Sequence, residues 1–500
     1  MASTLATPGV YIEEKSSFGS SVVPVQTALP AFVGYTEKAN RGSKSLMNKP
    51  TKISSFGQFV ELFGGAPKTK FNIEVDDSSS VGFKLNFVEG TRFLLYDSIR
   101  LFYANGGADC FIVSVGDYND KIDASKLNDP TGGGLLTLEK DLEPTILVIP
   151  EAVLLSESDC YSLQAAMLSH CGYKMKNRFA VLDVYDGFKE RTLDEDDVVN
   201  KFREGVGSNF LQWGAAYYPW LNTAIVKSSE LDYSLVANPE ELVAILIAEV
   251  DESLASENIS EARSEGIKAE INKILDTTDK DLMKTLQSTL MVVSPKILSV
   301  MEDMGEMMNL LPPSAAMAGA YTMCDSSVSV AKSPANISLG SVISPAVNIN
   351  NDNQEDLNLP LNGKAINAIR SFTGKGVLVW GARTLEGNSQ EYRYISVRRT
   401  MTFLEQSIKF ASEAFVFSQN NATTWSTLKS TVTNFLNNQW QSGLLAGGSP
   451  GEAFEISIGL GTTMTANDIL DGILKMTVKV AITRPAEFIV ITFEQQQQKS

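Results

Sequence analysis

Apolar, strand-like segments lie near both ends of this chain, and neither has a hairpin partner beside it in the sequence. The residues concerned are, near the start, Val10, Tyr11, Ile12, Val22, Val23 and Val25, and near the end Phe488, Ile489, Val490, Ile491 and Phe493. A strand with an unpaired edge promotes aggregation unless it adds to the sheet of a neighbouring molecule. The sequence therefore favours an assembly subunit over a free-standing enzyme. The alternative is that both segments pair within their own subunit.

Length and composition agree with a large folded protein. The 500 residues, of which 43% are hydrophobic, are enough for about two to four domains with buried cores. We find no apolar run of about eighteen residues and no signal peptide at the start, so we expect folding in the bacterial cytoplasm and no direct membrane insertion. The cysteines have no short paired spacing and are expected to be buried, reduced thiols: Cys110, Cys160, Cys171 and Cys324.

Charge is distributed unevenly along the chain. The net charge of −17 argues against a nucleic-acid partner, because phosphate binding requires an excess of basic groups. Residues 376–500 hold 10 basic and 10 acidic side chains, so the preceding residues carry all of the net charge. Residues 221–310 hold 7 basic and 17 acidic side chains. We expect this acidic part to face outwards in an assembly, where like charges keep particles apart.

The middle of the chain alternates between strand and helix patterns. Candidate strands at 145–149, 179–184 and 214–218 are separated by helical patterns near 158–170 and 194–204. Such alternation is typical of an α/β layer with parallel strands. An earlier helix is expected at 91–103, ended by Asn105-Gly106-Gly107, and strand-like runs lie at 31–35 and 110–115. The fold class is therefore α/β with mixed α+β features in several domains.

An inserted helical subdomain is expected at about 230–300. Pro239 fits a first helical turn, and apolar residues recur at helical spacing through this stretch. The polar stretch 348–354 is interpreted as a loop.

The C-terminal region has the clearest periodicity. One helix is indicated by a stripe of apolar residues: Val397, Met401, Leu404, Ile408, Ala411 and Phe415. Thr402 and Glu405 form a candidate capping box. A second helix pattern runs from Trp425 to Trp440, and alternating apolar residues at 454–458 and 474–482 predict two strands.

An enzymatic function has little support. The Gly447–Gly451 segment matches a nucleophile elbow but follows a helix pattern, and His170 is the chain's single histidine. We expect His170 to be structural or solvent-facing. A zinc site formed by Cys160, His170 and Cys171 would lack a fourth ligand. We therefore expect no catalytic residues, no metal and no cofactor.

Several short motifs closely resemble the contractile tail sheath family of phage tails and related injection systems. In chain order they are Pro8-Gly9-Val10-Tyr11-Ile12-Glu13-Glu14, Pro30-Ala31-Phe32-Val33-Gly34-Tyr35-Thr36, Asn105-Gly106-Gly107, Leu311-Pro312-Pro313-Ser314 with Ala318-Gly319, Trp380-Gly381-Ala382-Arg383-Thr384, Val397-Arg398-Arg399-Thr400 with Phe403 and Glu405, and Arg484-Pro485-Ala486-Glu487-Phe488. Each motif is weak alone, whereas their order over nearly the whole chain is specific. The acidic helical stretch and the glutamine-rich end lie outside the resemblance.

The resemblance implies a domain plan and a set of contacts. An N-terminal arm (1–27) and a C-terminal arm (486–500) would add strands to neighbouring subunits. Residues 28–375 would form the outer region, and 376–485 an assembly domain that faces an inner tube. The candidate tube-facing helix, 398–417, carries Arg398, Arg399, Glu405, Lys409 and Glu413. These charges could equally form an ordinary solvated face.

The resemblance further implies a non-enzymatic subunit that polymerises helically and contracts to drive the tube through a target envelope. Its partners would be further copies of itself in stacked, hexameric rings, the inner tube protein, the baseplate and the tail-terminator or cap proteins. The particle could be a virion tail, a released injector or a membrane-anchored system. The alternative function is a subunit of another helical or surface polymer, such as a tail tube or surface layer.

Overall fold

A mostly parallel, eight-stranded sheet forms the centre of the larger of two units. The structure, a computed structural model, describes residues 22–256 and 258–490. The larger unit comprises 26–402 and the segment from Arg484, and the smaller unit comprises the segment up to Val25 and 403–483. We describe each unit separately.

The strands are, in chain order, β1 (Pro30–Tyr35), β2 (Asn40–Arg41), β3 (Lys44–Ser45), β4 (Thr51–Ile53), β5 (Phe71–Val75), β6 (Phe83–Phe87), β7 (Cys110–Gly116), β8 (Ile146–Val148), β9 (Phe179–Asp183), β10 (Gly214–Tyr218), β11 (Leu221–Thr223), β12 (Leu310–Leu311), β13 (Val342–Pro345), β14 (Asn367–Phe372), β15 (Gly376–Trp380), β16 (Phe454–Ile458) and β17 (Met476–Val480). The strand order in the large sheet is β15-β14-β10-β9-β8-β1-β7-β4. Its six inner strands pair in parallel, and an antiparallel strand lies at each edge.

The inner strands are apolar because both of their faces are covered. Every residue of β1, β7 and β9 is buried, as expected for parallel strands with helices packed against them. In register, Ala31 lies opposite Phe111 on one side and Leu147 on the other. The predicted parallel α/β layer is confirmed, including the strand at 214–218.

The α-helices are α1 (Phe56–Phe63), α2 (Leu95–Ala104), α3 (Ala124–Leu127), α4 (Glu157–Ser169), α5 (Val198–Gly205), α6 (Pro239–Ala255), α7 (Glu261–Asp276), α8 (Lys280–Val293), α9 (Pro295–Asn309), α10 (Ser314–Ser327), α11 (Asn351–Asn358), α12 (Ile395–Glu413), α13 (Ala422–Gln441), α14 (Pro450–Ala453) and α15 (Ala466–Leu470). A π-helical turn, His170–Met175, follows α4.

Two motifs of the sequence determine what packs around the end of α2. A Cβ atom at Gly319 would lie 2.5 Å from the carbonyl oxygen of Phe102, so only glycine allows α10 to approach α2 so closely. Asn105 ends α2, and its side chain donates to the carbonyl of Gly340 at 3.1 Å and accepts from the Gly340 amide at 2.7 Å. Both motifs therefore support packing of the larger unit.

The acidic insertion is helical, as predicted, and has its own hydrophobic core. Helices α6 to α9 enclose this core together with the β5–β6 hairpin, which comes from far earlier in the chain. The amide side chain of Asn238 joins the two parts, because it accepts from the Ile73 amide at 3.0 Å and donates to the Ile73 carbonyl at 2.7 Å. The hairpin was not predicted.

Three details differ from the sequence-based expectations. The stretch interpreted as a loop, 348–354, includes the first turn of α11, and the Asn350 side chain caps this helix by accepting from the Asn353 amide. Thr402 does not cap a helix, since α12 begins at Ile395 and the Thr402 hydroxyl bonds the Arg398 carbonyl within it. β15, which begins at the predicted domain boundary of 376, pairs with β14 in the large sheet, and the two units divide later, after Thr402. The functional roles given to the domains stay predictions.

Both edges of the large sheet are protected. At one edge, β4 has three residues, and Lys52 at its centre forms ion pairs with Asp109 and Glu143. At the other edge, the Asn336 amide donates to the Val379 carbonyl of β15 at 2.8 Å.

Within residues 22–256 and 258–490, every helix is either too short or too polar to span a bilayer. The four cysteines are free and buried, which confirms the prediction of reduced thiols.

Candidate assembly surfaces

The smaller unit contains a sheet of only two described strands. β16 and β17 pair antiparallel from Phe454 opposite Val480 to Ile458 opposite Met476. Helix α13 packs on β16 and contributes the buried residues Val432 and Leu436. A sheet of two strands is only marginally stable in water. Each of these two strands has an edge at which a further strand could pair and stabilise the sheet.

Large apolar side chains on the surface of the smaller unit are numerous. They are Phe410, Val416, Phe417, Leu460, Leu470 and Ile473. Phe417, which ends the turn after α12 and has a φ of 66°, is fully exposed at 104%. Exposed apolar side chains mark protein contact sites where they form a contiguous patch, so these residues are candidates for contact with a neighbour. The apolar surface agrees with the low net charge of residues 403–483, which hold 4 basic and 6 acidic side chains.

The N-terminal arm is described only in part. Val10, Tyr11 and Ile12 lie outside the described residues. Val22 is buried and Val23 is exposed. The Val25 amide donates to the Ser407 hydroxyl of α12 at 3.2 Å. No strand is formed between Val22 and Leu29, so this described part of the arm does not pair as a strand with its own subunit.

The C-terminal arm is uncovered where it is described. Phe488, Ile489 and Val490 are 68%, 79% and 89% exposed and belong to no strand. Ile491 and Phe493 lie outside the described residues. Three consecutive exposed apolar side chains require a partner surface if they are to leave water.

The candidate tube-facing charges fall into two groups. Glu405, Lys409 and Glu413 are exposed along α12, and their spacing of four residues places them on one helical face. The opposite side of this part of α12 carries Leu404, which is buried, and neighbouring Phe403 packs on Phe435 of α13 with ring centroids 6.1 Å apart. The exposed face keeps its predicted role as a candidate contact surface.

Arg398 and Arg399 are buried, so we no longer assign them to tube contact. The Arg398 guanidinium stacks on Trp213 at 4.3 Å and on Tyr392 at 4.6 Å from the ring centroids. Arg399 forms an ion pair with Asp325 at 2.6 Å, and both side chains are 4% exposed. Burial alone would lower the pKa of Arg399, but the nearby Asp325 carboxylate raises it.

Titratable groups in the larger unit serve packing. Burial, with a contribution from Arg178, lowers the pKa of His170 to about 3, so the imidazole is neutral. Of the two roles expected for His170, structural or solvent-facing, the structure supports the structural one. Burial raises the pKa of Asp183 to about 7 against two hydrogen bonds from Ser314. Among the described ranges, no group of three or more His, Cys, Asp or Glu side chains could hold a metal ion.

Sequence reasoning missed the residues around the start of the C-terminal arm. Arg383 donates to Glu487 through Nε at 3.0 Å and Nη2 at 2.7 Å. The Tyr394 hydroxyl and the Asn358 amide donate to the same carboxylate at 2.9 and 2.8 Å. Arg383 and Glu487 are both in the motifs that carried the family resemblance. The signal that could have revealed this ion pair was the presence of opposite charges, Arg383 and Glu487, in two motifs that lie far apart in the sequence.

Comparisons with known proteins agree with this arrangement. Residues 388–496 match the family described as phage tail sheath C-terminal domain. The whole chain resembles the anti-feeding prophage helical sheath in its contracted state, with 25% identity, a TM-score of 0.62, and coverage of 99% of this chain and 100% of that one. A comparison with curated proteins finds no significant match.

Two further solved structures give similar values. One is the sheath complex of an extracellular contractile injection system, PVC, in the contracted state, with 25% identity, a TM-score of 0.60, and coverage of 99% of both chains. The other is a chain of the anti-feeding prophage baseplate, with 25% identity, a TM-score of 0.60, and coverage of 99% of this chain and 100% of that one. Residues 388–496 thus match the phage tail sheath C-terminal domain, and the full-length chain is similar in fold to sheath proteins of contractile injection systems.

Proposed function

We propose that this chain is the sheath subunit of a contractile injection particle, which polymerises helically around an inner tube and contracts to drive that tube through a target envelope. The observation that carries the proposal is the full-length likeness to sheath chains of two such systems in their contracted states. A subunit that repeats one contact without closing a ring generates a helical filament.

Strand donation by the two arms would link the subunits. The N-terminal arm, through Val10, Tyr11 and Ile12, and the C-terminal arm, through Phe488 to Phe493, would add to the β16–β17 sheet of neighbours. Support comes from the two-stranded sheet, the exposure of Phe488, Ile489 and Val490, and the absence of a strand in both arms where the structure describes them. Main-chain hydrogen bonds would supply affinity, and alternate side chains would set the register.

The exposed charges of α12 would contact the inner tube. Glu405, Lys409 and Glu413 offer a polar face of both signs. A wet, polar contact is weaker than an apolar one of equal area, which suits a sheath that must release its tube. The competing explanation is an ordinary solvated face.

Contraction would be a rigid-body rearrangement of subunits about the arm linkers. A gain of about 1.4 kcal/mol for each subunit shifts its equilibrium about tenfold. Because the subunits are linked, many small gains add up to an irreversible transition. The acidic helices α6 to α9 would lie on the outer surface, where their charge keeps particles apart.

The further partners would be the baseplate and the tail-terminator or cap proteins, with hexameric rings, assembly in the cytoplasm and no enzymatic activity. The competing function is a structural subunit of another helical or surface polymer. A tail tube subunit is usually one compact barrel, whereas this chain has a doubly covered sheet and a separate C-terminal unit.

Electron microscopy of the full chain after expression alone tests the function. We expect hollow, ribbed cylinders with a helical repeat, because the subunit carries its own intersubunit contacts. Monomers that also ignore the co-expressed tube and baseplate proteins would refute a sheath.

Removal of the C-terminal arm tests strand donation. A chain that lacks residues 488–500 should fold with an unchanged melting temperature, since Phe488 to Val490 are exposed, yet should fail to form cylinders at concentrations where the full chain does. A matched control removes only the polar end, residues 495–500, and should assemble normally. Cylinders of normal order from the chain without 488–500 would contradict the arm mechanism.

A further inference from the structure

Two buried arginines hold the residues from which the two arms extend. Arg399 Nη2 donates to the carbonyl oxygen of Thr27 at 2.9 Å, and Arg383 binds the Glu487 carboxylate with two nitrogens. We call Thr27 and Glu487 the arm roots. The two arginine side chains are only 4% and 2% exposed, and all four residues belong to the larger unit.

The root of the N-terminal arm has a second, independent attachment. The Thr145 hydroxyl donates to the same Thr27 carbonyl at 2.8 Å and accepts from the Leu29 amide at 2.8 Å. Arg399 is itself fixed by two hydrogen bonds to Asp325, at 3.0 and 2.6 Å. A bidentate arginine between a carboxylate and a carbonyl is geometrically restricted. The main chain is therefore held at Thr27, with the arm on its N-terminal side.

The root of the C-terminal arm is held through its side chain. The Glu487 carboxylate accepts four hydrogen bonds, two from Arg383 and one each from Tyr394 and Asn358. Burial alone would raise the pKa of Glu487, but these donors lower it below the usual value. Phe488, the next residue, is already exposed. The transition from a fixed to an uncovered chain thus occurs within one residue.

We propose that Arg383 and Arg399 are positioning residues that fix the arm roots, so that each arm leaves its subunit in a set direction towards the sheet of a neighbour. This inference rests on the proposed function. An arm with a fixed root has a higher effective concentration at the receiving edge than one on a longer free tether. It also loses less conformational freedom on docking. Bending during contraction is then confined to residues outside Thr27 and Glu487.

Three substitutions loosen a root without deleting an arm. Glu487→Gln weakens the bidentate contact with Arg383, and Tyr394→Phe removes a single donor. Arg399→Lys keeps the positive charge beside Asp325 but loses the fork that also reaches Thr27. Controls on exposed residues of α7 are Glu265→Gln and Arg263→Lys. Ser314→Ala, which removes the hydroxyl bonded to Asp183, is a control for reduced stability.

The main measurement is the critical concentration for polymerisation of the full-length chain, determined by sedimentation. Electron microscopy reports the helical order, and thermal denaturation gives the melting temperature of the unassembled subunit. We expect the critical concentration to rise at least tenfold for Glu487→Gln and for Arg399→Lys, and about threefold for Tyr394→Phe. The exposed controls should stay within twofold of the unsubstituted chain. So should Ser314→Ala, even though its melting temperature falls.

Two results would overturn the inference. One is normal polymerisation of Glu487→Gln and Arg399→Lys while removal of residues 488–500 abolishes it, which leaves the proposed function standing. The other is an equal rise in critical concentration for Ser314→Ala and Glu487→Gln when the two variants have similar melting temperatures. The rise would then result from lower stability alone. Normal assembly without residues 488–500 would instead remove the strand-donation mechanism itself.

Discussion

The two units of this subunit differ in how completely each buries its apolar residues and pairs its strand edges within one chain. The larger unit has an eight-stranded sheet with a continuous core, protected edges and most of the chain's excess acidic charge. The smaller unit has two described strands, large apolar residues on its surface and only a small acidic excess, with 5 basic against 8 acidic side chains. One unit is built like an independent domain, and the other like part of an interface.

This contrast separates two sources of stability. Burial of apolar side chains within one chain stabilises the larger unit whatever its concentration. The smaller unit should gain much of its stability from neighbours, as in obligate assemblies, where stability depends on concentration. Substitutions in the two units should therefore affect different measurements.

The largest effect should follow from shortening a buried side chain in β1, an inner strand of the large sheet. Phe32 is fully buried, and its ring contacts Phe102 edge to face with centroids 5.2 Å apart. Phe32→Ala should lower the free energy of unfolding by about 3–5 kcal/mol, because a cavity replaces the ring. Urea denaturation of the unassembled subunit measures this loss. A loss below about 1 kcal/mol would show that the larger unit does not depend on its sheet.

A medium effect should appear in the pH dependence of the larger unit. Burial raises the pKa of Asp183 to about 7, whereas an unfolded aspartate has a pKa of about 3.9. Between these values the folded state binds the additional proton, so stability should fall as pH rises from about 4 to about 7. The slope for this group is at most about 1.4 kcal/mol for each pH unit.

Asp183→Asn should flatten this slope, and the exposed control Asp276→Asn should leave it unchanged. The comparison also removes the general effect of acid on the acidic surface, since both variants change the charge equally. Denaturation curves at pH 5, 6, 7 and 8 give the slopes. Identical slopes for the two variants would contradict a raised pKa at Asp183.

The smallest effect on the isolated subunit should come from the two-stranded sheet. Val478 of β17 is only half-buried, so Val478→Ala should change the free energy of unfolding by less than about 1 kcal/mol. The same change should weaken polymerisation, because the side chain lies on the sheet that we propose receives strands from neighbours. If Val478→Ala and Phe32→Ala changed the free energy of unfolding and the polymerisation equally, the two units would not differ in their source of stability.

Local patterns predicted much of the fold. The parallel strands, α12, α13 and the helical insertion could be recognised because their apolar residues recur with a regular period. The arms were predicted to be unpaired strands because they lacked a local partner; this stays a prediction, since Phe488, Ile489 and Val490 are exposed but belong to no strand. Helix α11 was missed, since only Leu357 of its eight residues is buried and a polar helix has no such period.

Long-range partners explain the remaining errors. Arg399 lies in a charged motif that suggested a surface, but its partner Asp325 is 74 residues away, and no spacing rule joins them. The β5–β6 hairpin has clear alternation at Phe71, Ile73, Phe83 and Leu85, yet its packing against α6 to α9 could not be read from either segment alone. Both cases depend on tertiary contacts.

The protected edges of the large sheet have a consequence for crowding. A filament holds its subunits at very high local concentration, where open edges of large apolar sheets would fuse into amyloid-like ribbons. The ion-paired Lys52 on the three-residue β4 and the segment hydrogen-bonded to β15 oppose such fusion. If neighbouring subunits add strands to the β16–β17 sheet, as we propose, growth is directed away from the strongest sheet in the molecule and towards the weakest, where strand exchange can be reversible during assembly.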